Sequence, residues 1–361
     1  VENILVSRFD RVWVEWADGT MHKMEPIADS NEELTRYLEF LAGRSENPRT
    51  FTPSSPSLHM TLPGGARLAA ARDTAWTSLV IRRHRVRDVS LADLVAWGGM
   101  SPTVASFLSA AVRARLSVVV AGEQGDGKTT LLRALCGEID PVEVIGTFET
   151  EYELFLHELP EERHANVFAW EVRGGSTEAG ADGQAAGSRQ TADQIFDSFR
   201  FRLDRGILGE VRGPEVWMMI KLMESGSGSL STTHAASAAD ALEKLVSCAT
   251  EVGSQISPQV AARKLAQTIH LVVQLACEVV RDPRDPSLAR KHRYVAEILE
   301  VMPGEQESGY ASNVVFRRQP GGCAVADTRP DALIARLAAH GFDVAAFEAE
   351  AQAKPAPGGL G

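Results

Sequence analysis

Residues 116–136 read Leu-Ser-Val-Val-Val-Ala-Gly-Glu-Gln-Gly-Asp-Gly-Lys-Thr-Thr-Leu-Leu-Arg-Ala-Leu-Cys. The segment Gly122-Glu123-Gln124-Gly125-Asp126-Gly127-Lys128-Thr129 is a full G-x-x-x-x-G-K-[ST] phosphate-binding loop, and its flanks suit it. The apolar, β-branched run Leu116–Ala121 predicts a buried parallel strand. From Thr130 to Cys136, Leu131, Leu132 and Leu135 form one stripe, which predicts a helix. Glycines let the chain approach a phosphate closely, the loop amides point inward as an anion nest, and the helix N-terminus adds partial positive charge. The expected ligand is ATP with Mg²⁺, cradled by residues 122 to 130. Lys128 would reach the β- and γ-phosphates, and the Thr129 hydroxyl would bind the metal. Asp126 is the odd member, because a carboxylate beside phosphates is unhelpful unless it faces solvent or capping amides.

Working outward, the 361-residue chain is long enough for two domains. With 44% hydrophobic and 24% charged residues it has an ordinary globular composition. A net charge of −11 argues against a general nucleic-acid coat, though not against a local basic patch. No apolar run reaches 18 residues, so no membrane span is expected. The most apolar stretch, Ile269–Val280, is interrupted by His270, Gln274 and Glu278 and is expected to be a core helix. Cys136, Cys248, Cys277 and Cys323 are far apart, as buried thiols in a reducing compartment would be. The first residue is Val1, so an upstream segment is expected.

Residues 1–88 are expected to be an α+β domain ending in a linker. Val12–Trp16 and Met21–Met24 form a hairpin, a helix runs from about Ser30 to Ala42, and 59–62 and 66–71 form a second hairpin. Ser78–Ile81 is a further strand, and the basic run Arg82–Arg87 is taken as the linker. Strands and helices alternate over 89–350, which implies a parallel sheet. In that domain Ser90 and Ser101 should cap helices. Gly174–Gly187 should be a mobile loop, and 351–361, ending in Lys-Pro-Ala-Pro-Gly-Gly-Leu-Gly, a disordered tail.

Three further residues belong with the phosphate loop because each ends a strand, and ligands bind at the carboxyl edge of open α/β sheets. Glu210 follows Gly206–Gly209; it is either a surface carboxylate or the acid that would hold Mg²⁺ and polarise water. Glu149 ends a strand starting near Val144; it is either the general base for water or a helix cap or ion-pair partner. His234 ends Leu230–Thr233; it is either a γ-phosphate sensor or a capping or core histidine.

The run Gly209-Glu210-Val211-Arg212-Gly213-Pro214-Glu215, followed by Gly228-Ser229-Leu230-Ser231-Thr232-Thr233-His234-Ala235, resembles the secretion and pilus-assembly ATPases of the type II/type IV secretion superfamily, in its tight-adherence pilus branch of actinobacterial style. The resemblance implies an α/β fold with a RecA-like P-loop motor domain and a smaller N-terminal α+β domain. It places an acidic box on Thr147–Leu154, a Walker B on Ile207–Glu210, and an Ile-Arg-Lys segment on Ile81-Arg82-Arg83. Arg82 would then touch phosphate, with a solvated linker as the other possibility, and Arg212 would report the γ-phosphate with His234. It further implies a homo-hexamer in the cytoplasm, peripheral at the membrane, pushing on an inner-membrane platform protein. Three departures stand out: Thr150 replaces an aspartate, Leu203 replaces a proline, and Ser225–Ser229 is one residue short and lacks a histidine. These point to slow hydrolysis and motivate one alternative, a nucleotide-gated scaffold with little turnover; a DNA-transfer motor is a further alternative, against which the net charge of −11 argues.

Overall fold

The computed structural model describes residues 1–16, 20–44, 48–83, 88–174, 188–226, 228–251, 256–281, 289–304, 309–319 and 322–353. Residues 175–187 of the expected mobile loop, whose first residue Gly174 falls in a short strand, most of the expected linker (84–87), Ser227 and residues 354–361 of the expected tail lie outside them.

Near the N-terminus, β1 (Asn3–Arg8), β2 (Arg11–Glu15), β3 (Met21–Met24), β4 (Ser57–Thr61), β5 (Arg67–Ala71) and β6 (Ser78–Arg82) form one sheet in the order β3-β2-β1-β6-β5-β4. Every neighbour pair is antiparallel. Alternation dictates which face is inside: Val12 and Val14 are buried while Trp13 between them is exposed. Helix α1 (Asn31–Arg44) lays Leu34, Leu38 and Ala42 on that inner face, against Val6, Leu58, Leu68 and Leu79. Two expectations need correction. Residues before Val12, from which nothing was expected, supply the central strand β1, whose backbone pairs on both sides. Arg82 and Arg83 are not linker: Arg82 ends β6 opposite Asn3 and Arg67, and the Arg83 amide donates to the Glu2 carbonyl (2.9 Å).

The second sheet has nine strands. Its elements are α2 (Leu91–Ala96), α3 (Pro102–Arg113), β7 (Val118–Gly122), α4 (Lys128–Cys136), β8 (Val144–Glu149) and β9 (Asn166–Glu171); the two-residue ribbon β10 (Arg173–Gly174) and β11 (Ser188–Arg189); then α5 (Thr191–Ser198), β12 (Arg205–Leu208), α6 (Val216–Glu224), β13 (Leu230–His234), α7 (Ala238–Thr250) and α8 (Pro258–Thr268). It closes with β14 (Leu271–Arg281), β15 (Ala289–Pro303), β16 (Tyr310–Arg318), β17 (Ala324–Ala326), α9 (Asp331–Ala338) and α10 (Val344–Gln352). Strand order is β17-β16-β15-β14-β7-β13-β12-β8-β9. The six strands from β14 to β9 run parallel, and β15–β17 extend the sheet antiparallel. Ser90 and Ser101 cap α2 and α3 through their hydroxyls, with Pro102 in the first turn of α3.

Apolar side chains cover both faces. One core gathers Phe107, Leu131, Leu135, Ile207, Val273 and Phe316, and the other Phe148, Leu208, Met219, Leu242, Leu265 and Val272. Placement between two cores explains why Ile269–Val280 is not the expected core helix. Leu271–Arg281 is strand β14, hydrogen-bonded to β7 on one side and β15 on the other. A strand covered on both faces reads as a continuous apolar run, as a buried helix does, so periodicity could not separate them. The expected tail also begins too early, since α10 continues to Gln352 and packs Ala351 on the core. Cys136 and Cys248 are buried, Cys277 and Cys323 half-buried, and all four are free thiols, so the expectation of burial holds for two.

Glycine is required at the start of β13. Gly228 sits at φ +65°, and a Cβ there would lie 2.5 Å from Arg205 Nη1 and 2.7 Å from the Arg115 backbone. Gly228, within the shortened segment, therefore packs on the buried Arg205, whose guanidinium pairs with Glu143 at 2.6 Å.

Candidate active site

β7 delivers the loop and α4 receives it. Gly127 caps α4 at φ +94°, a left-handed conformation that lets the loop turn its amides toward the first turn, where Lys128 and Thr129 stand. Asp126 resolves its own oddity: it is buried and folded back, with Oδ2 accepting from the Glu123 amide at 2.6 Å. Through that bond it braces the loop.

Lys128 is buried, and its Nζ donates to the Gly122 and Glu123 carbonyls at 3.0 and 2.8 Å. Burial lowers its pKa, against the attraction of Glu210 and Asp126. Its Nζ also lies 3.1 Å from His234 Nδ1. Burial, and then the charge of Lys128, lowers the His234 pKa, so the ring is neutral near pH 7 and Nδ1 accepts from the lysine. His234 Nε2 lies 3.0 Å from Glu210 Oε1, at ion-pair distance but without the geometry of a hydrogen bond. Burial works to raise the Glu210 carboxyl. The hydrogen bond and charge of Arg212, with His234 and Lys128, outweigh it and hold the group below its ordinary value. Arg212 donates from Nη2 to Glu210 Oε2 and is otherwise largely exposed.

Glu149 at the end of β8 is 3% exposed. Its Oε2 accepts from the Glu153 and Leu154 amides at 2.8 and 2.9 Å, while Oε1 is buried and has no hydrogen-bond partner. Burial pushes its pKa up to about 7 against the Leu154 amide and Arg133. Such a carboxyl can exchange a proton near neutrality. Of the two expectations for Glu149 the capping one is visible here, since Oε2 caps the following turn, while Oε1 is left unpaired.

The structure adds residues that the sequence reading did not single out. Thr129 Oγ1 donates to Glu153 Oε2 at 2.9 Å. Arg67, opening β5 in the N-terminal sheet, pairs with both Glu151 and Glu153. Arg293 on β15 donates from Nε to the Gly125 carbonyl at 2.6 Å. Glu153 could have been found from its place in the acidic box. Arg67 and Arg293 carry no local signal, because chain reversals bring them in from elsewhere. Arg82 lines the same cleft as an exposed side chain beside Arg67. Leu203, where a proline was expected, packs beside Gly146 under Trp170.

Apart from Leu203 and its neighbour Trp170, the side chains named above line one cleft of 770 Å³ between the two sheets. A nucleotide fits the donor set: a glycine-rich loop, a first-turn lysine and threonine, and a buried carboxylate oxygen with no donor of its own. Among the described residues no group of three or more His, Cys, Asp or Glu could hold an ion alone. A Mg²⁺ at Thr129 would thus take its other oxygens from phosphate, water and one acid, as this small ion commonly does. Among the described residues no helix is long and apolar enough to cross a membrane.

Comparison with known proteins agrees with this geometry. The sequence profile of the family described as type II/IV secretion system protein matches residues 11–327. The type IV secretion system protein PtlH homolog of Bordetella bronchiseptica is 30% identical over 297 residues, covering 74% of this chain and 83% of the relative. Among solved structures, the ATPase DotB of Legionella pneumophila superposes with a TM-score of 0.53 at 16% identity, covering 83% of this chain and 76% of that one. The pilus retraction motor PilT with bound ADP superposes with a TM-score of 0.54 at 13% identity, covering 89% and 80%. At these identities the two structures speak to the fold, which is the expected RecA-like motor fold with an N-terminal domain. With its complete phosphate loop on that fold, the chain belongs to the type II/IV secretion system protein family and is an ATP-hydrolysing motor enzyme.

Proposed function

We propose that the chain hydrolyses Mg²⁺-ATP with Lys128, Thr129, Glu149, Glu210, His234 and Arg212 as its working groups. The hydrolysis powers secretion or pilus assembly. The observation that carries the assignment of roles is the convergence at one sheet edge of a buried lysine, a neutral histidine and two glutamates. One of those glutamates has an unpaired oxygen and a pKa near 7.

Lys128 exchanges two loop carbonyls for phosphate oxygens and carries the charge that develops there. Bound Mg²⁺ would neutralise the β- and γ-phosphate oxygens, held at Thr129 and Glu210. Glu149 Oε1 orients water and takes its proton. His234 joins Lys128 to Glu210, and Glu210 in turn holds Arg212. A change at the phosphate position is thereby passed to a largely exposed cation. On the other side Arg67 ties the N-terminal sheet to Glu151 and Glu153, next to Thr129, and Arg82 stands ready for phosphate. Residues 1–88 and 89–350 would be the two bodies whose relative rotation is the power stroke. We assign the protein to the cytoplasmic face of the inner membrane, as a homo-hexamer working on a platform protein of a pilus or secretion system.

A scaffold with little turnover is the second reading. It is favoured by the commitment of Glu149 Oε2 to two amides and by Thr150 at a position expected to be acidic. The test is Mg²⁺-ATP hydrolysis across protein concentrations, beside Lys128→Ala. Cooperative turnover that vanishes in the variant supports the motor. Tight nucleotide binding with a negligible rate, unchanged by Glu149→Gln, supports the scaffold.

A further inference from the structure

Strand order divides the cleft into two halves about β7. β13, β12 and β8, which lead to His234, Glu210 and Glu149, lie on one side, and β14 and β15 lie on the other. Phosphates seated on the loop after β7 must place the terminal one toward the carboxylates, so the nucleoside end leads over β14 and β15. On that side the cleft wall is built from Leu94 and Trp97 at the end of α2 and from Lys291, His292 and Arg293 on β15.

The backbone that carries Trp97 is anchored in that wall. Helix α2 closes with the Gly98 amide on the Val95 carbonyl (2.9 Å) and the Gly99 amide on the Leu94 carbonyl (2.8 Å). With Gly98 at φ +75°, this is the paired closure that a left-handed glycine permits. The Val295 amide then pins the Gly99 carbonyl to β15 at 2.8 Å. The fit is close, since a Cβ on Gly99 would meet the Arg293 carbonyl at 3.1 Å. On that anchored backbone Trp97 is 55% exposed. His292 lies beside the neighbouring Gly98, its ring 3.6 Å from where a Cβ there would stand, and stacks on the buried Tyr294 ring at 5.4 Å and 26°. Arg293 ties this wall to the phosphate loop through the Gly125 carbonyl, which sets the spacing between the two ends of the cleft.

We propose that Trp97 is the stacking platform for the purine base of the nucleotide, with His292 bordering the same subsite. An indole has only two side-chain torsions to freeze on stacking, and its face reads ring area, not the hydrogen-bonding edge. It therefore selects a purine nucleoside triphosphate and contributes to affinity independently of the phosphate contacts. The proposal rests on nucleotide binding at the loop.

The experiment is calorimetric titration of the full chain, of Trp97→Phe and of Trp97→Ala, with Mg²⁺-ATP and with Mg²⁺-triphosphate (inorganic). Trp97→Ala should weaken ATP about tenfold, the middle of the range for losing one base–aromatic stack. Trp97→Phe should stay near the wild type, and triphosphate should bind all three equally. Equal ATP affinity in Trp97→Ala and the wild type, with triphosphate bound normally, overturns the platform alone. Equal losses for ATP and triphosphate in Trp97→Ala overturn it too, as the signature of a structural role. A wild type that binds neither ligand overturns nucleotide binding at the loop, and the platform with it.

Discussion

Replacing Glu149 by glutamine should make the protein more stable at alkaline pH and leave it nearly unchanged in acid. The carboxyl is 3% exposed and its pKa is pushed up to about 7 from 4.5, chiefly by burial. A raised carboxylate pKa means that the folded chain holds a proton which the unfolded chain has released. Stability therefore falls as pH rises from about 4.5 to about 7 and levels off above that. Roughly 2.5 units of difference correspond to about 3 kcal/mol of lost stability above pH 7. Glutamine cannot ionise, and its carbonyl can still accept the Glu153 and Leu154 amides. The assay is urea denaturation of both proteins from pH 5 to 9. The midpoint gap should be small at pH 5 and open to about 1 M or more by pH 9. The variant should also lose most of its ATP turnover. A gap that is the same at every pH would refute the claim that Glu149 is a desolvated carboxyl titrating near neutrality.

Lys128→Ala should abolish measurable turnover and weaken ATP at least tenfold, because it removes the cation now held by two loop carbonyls; a residual rate above one-tenth of wild type in a phosphate-release assay would contradict this. Thr129→Ala should raise the Mg²⁺ concentration for half-maximal turnover by about tenfold while metal-free nucleotide binding stays within about twofold, as read by Mg²⁺ titration at saturating ATP. Gly228→Ala should cost about 3 kcal/mol or more, since it adds a Cβ that would lie 2.5 Å from Arg205 Nη1 to a left-handed backbone at φ +65°. Gly226→Ala, at φ +74° with nothing within 4 Å of the added carbon, should cost only about 1 kcal/mol; equal urea midpoints for these two variants would show that the close packing on Arg205 carries no weight.

Much of the site was legible because its parts are local. The phosphate loop is contiguous, and Glu149, Glu210 and His234 each stand at or just past the end of a β-branched or glycine-bearing strand. Parallel strands all end at the same sheet edge, so placing each residue at a strand end placed them together. Illegible were the contacts that cross the topology. Arg67 opens a strand like many others until the Glu151 and Glu153 carboxylates meet it, and Arg293 is one of several cations in a basic run until β15 carries it to the Gly125 carbonyl.

The sequence by itself determined the chemistry of the phosphate site, the alternation of elements and the caps at Ser90 and Ser101, because each depends on backbone preferences and spacings within a few residues. Tertiary structure alone decided that Leu271–Arg281 is a strand, since an apolar run covered on both faces is compatible with either element until β7 and β15 supply its hydrogen bonds. It also decided the protonation of Glu149, because a pKa near 7 arises from burial beneath the 150–154 turn. Desolvation is a property of everything packed around a group, and no window of sequence contains it.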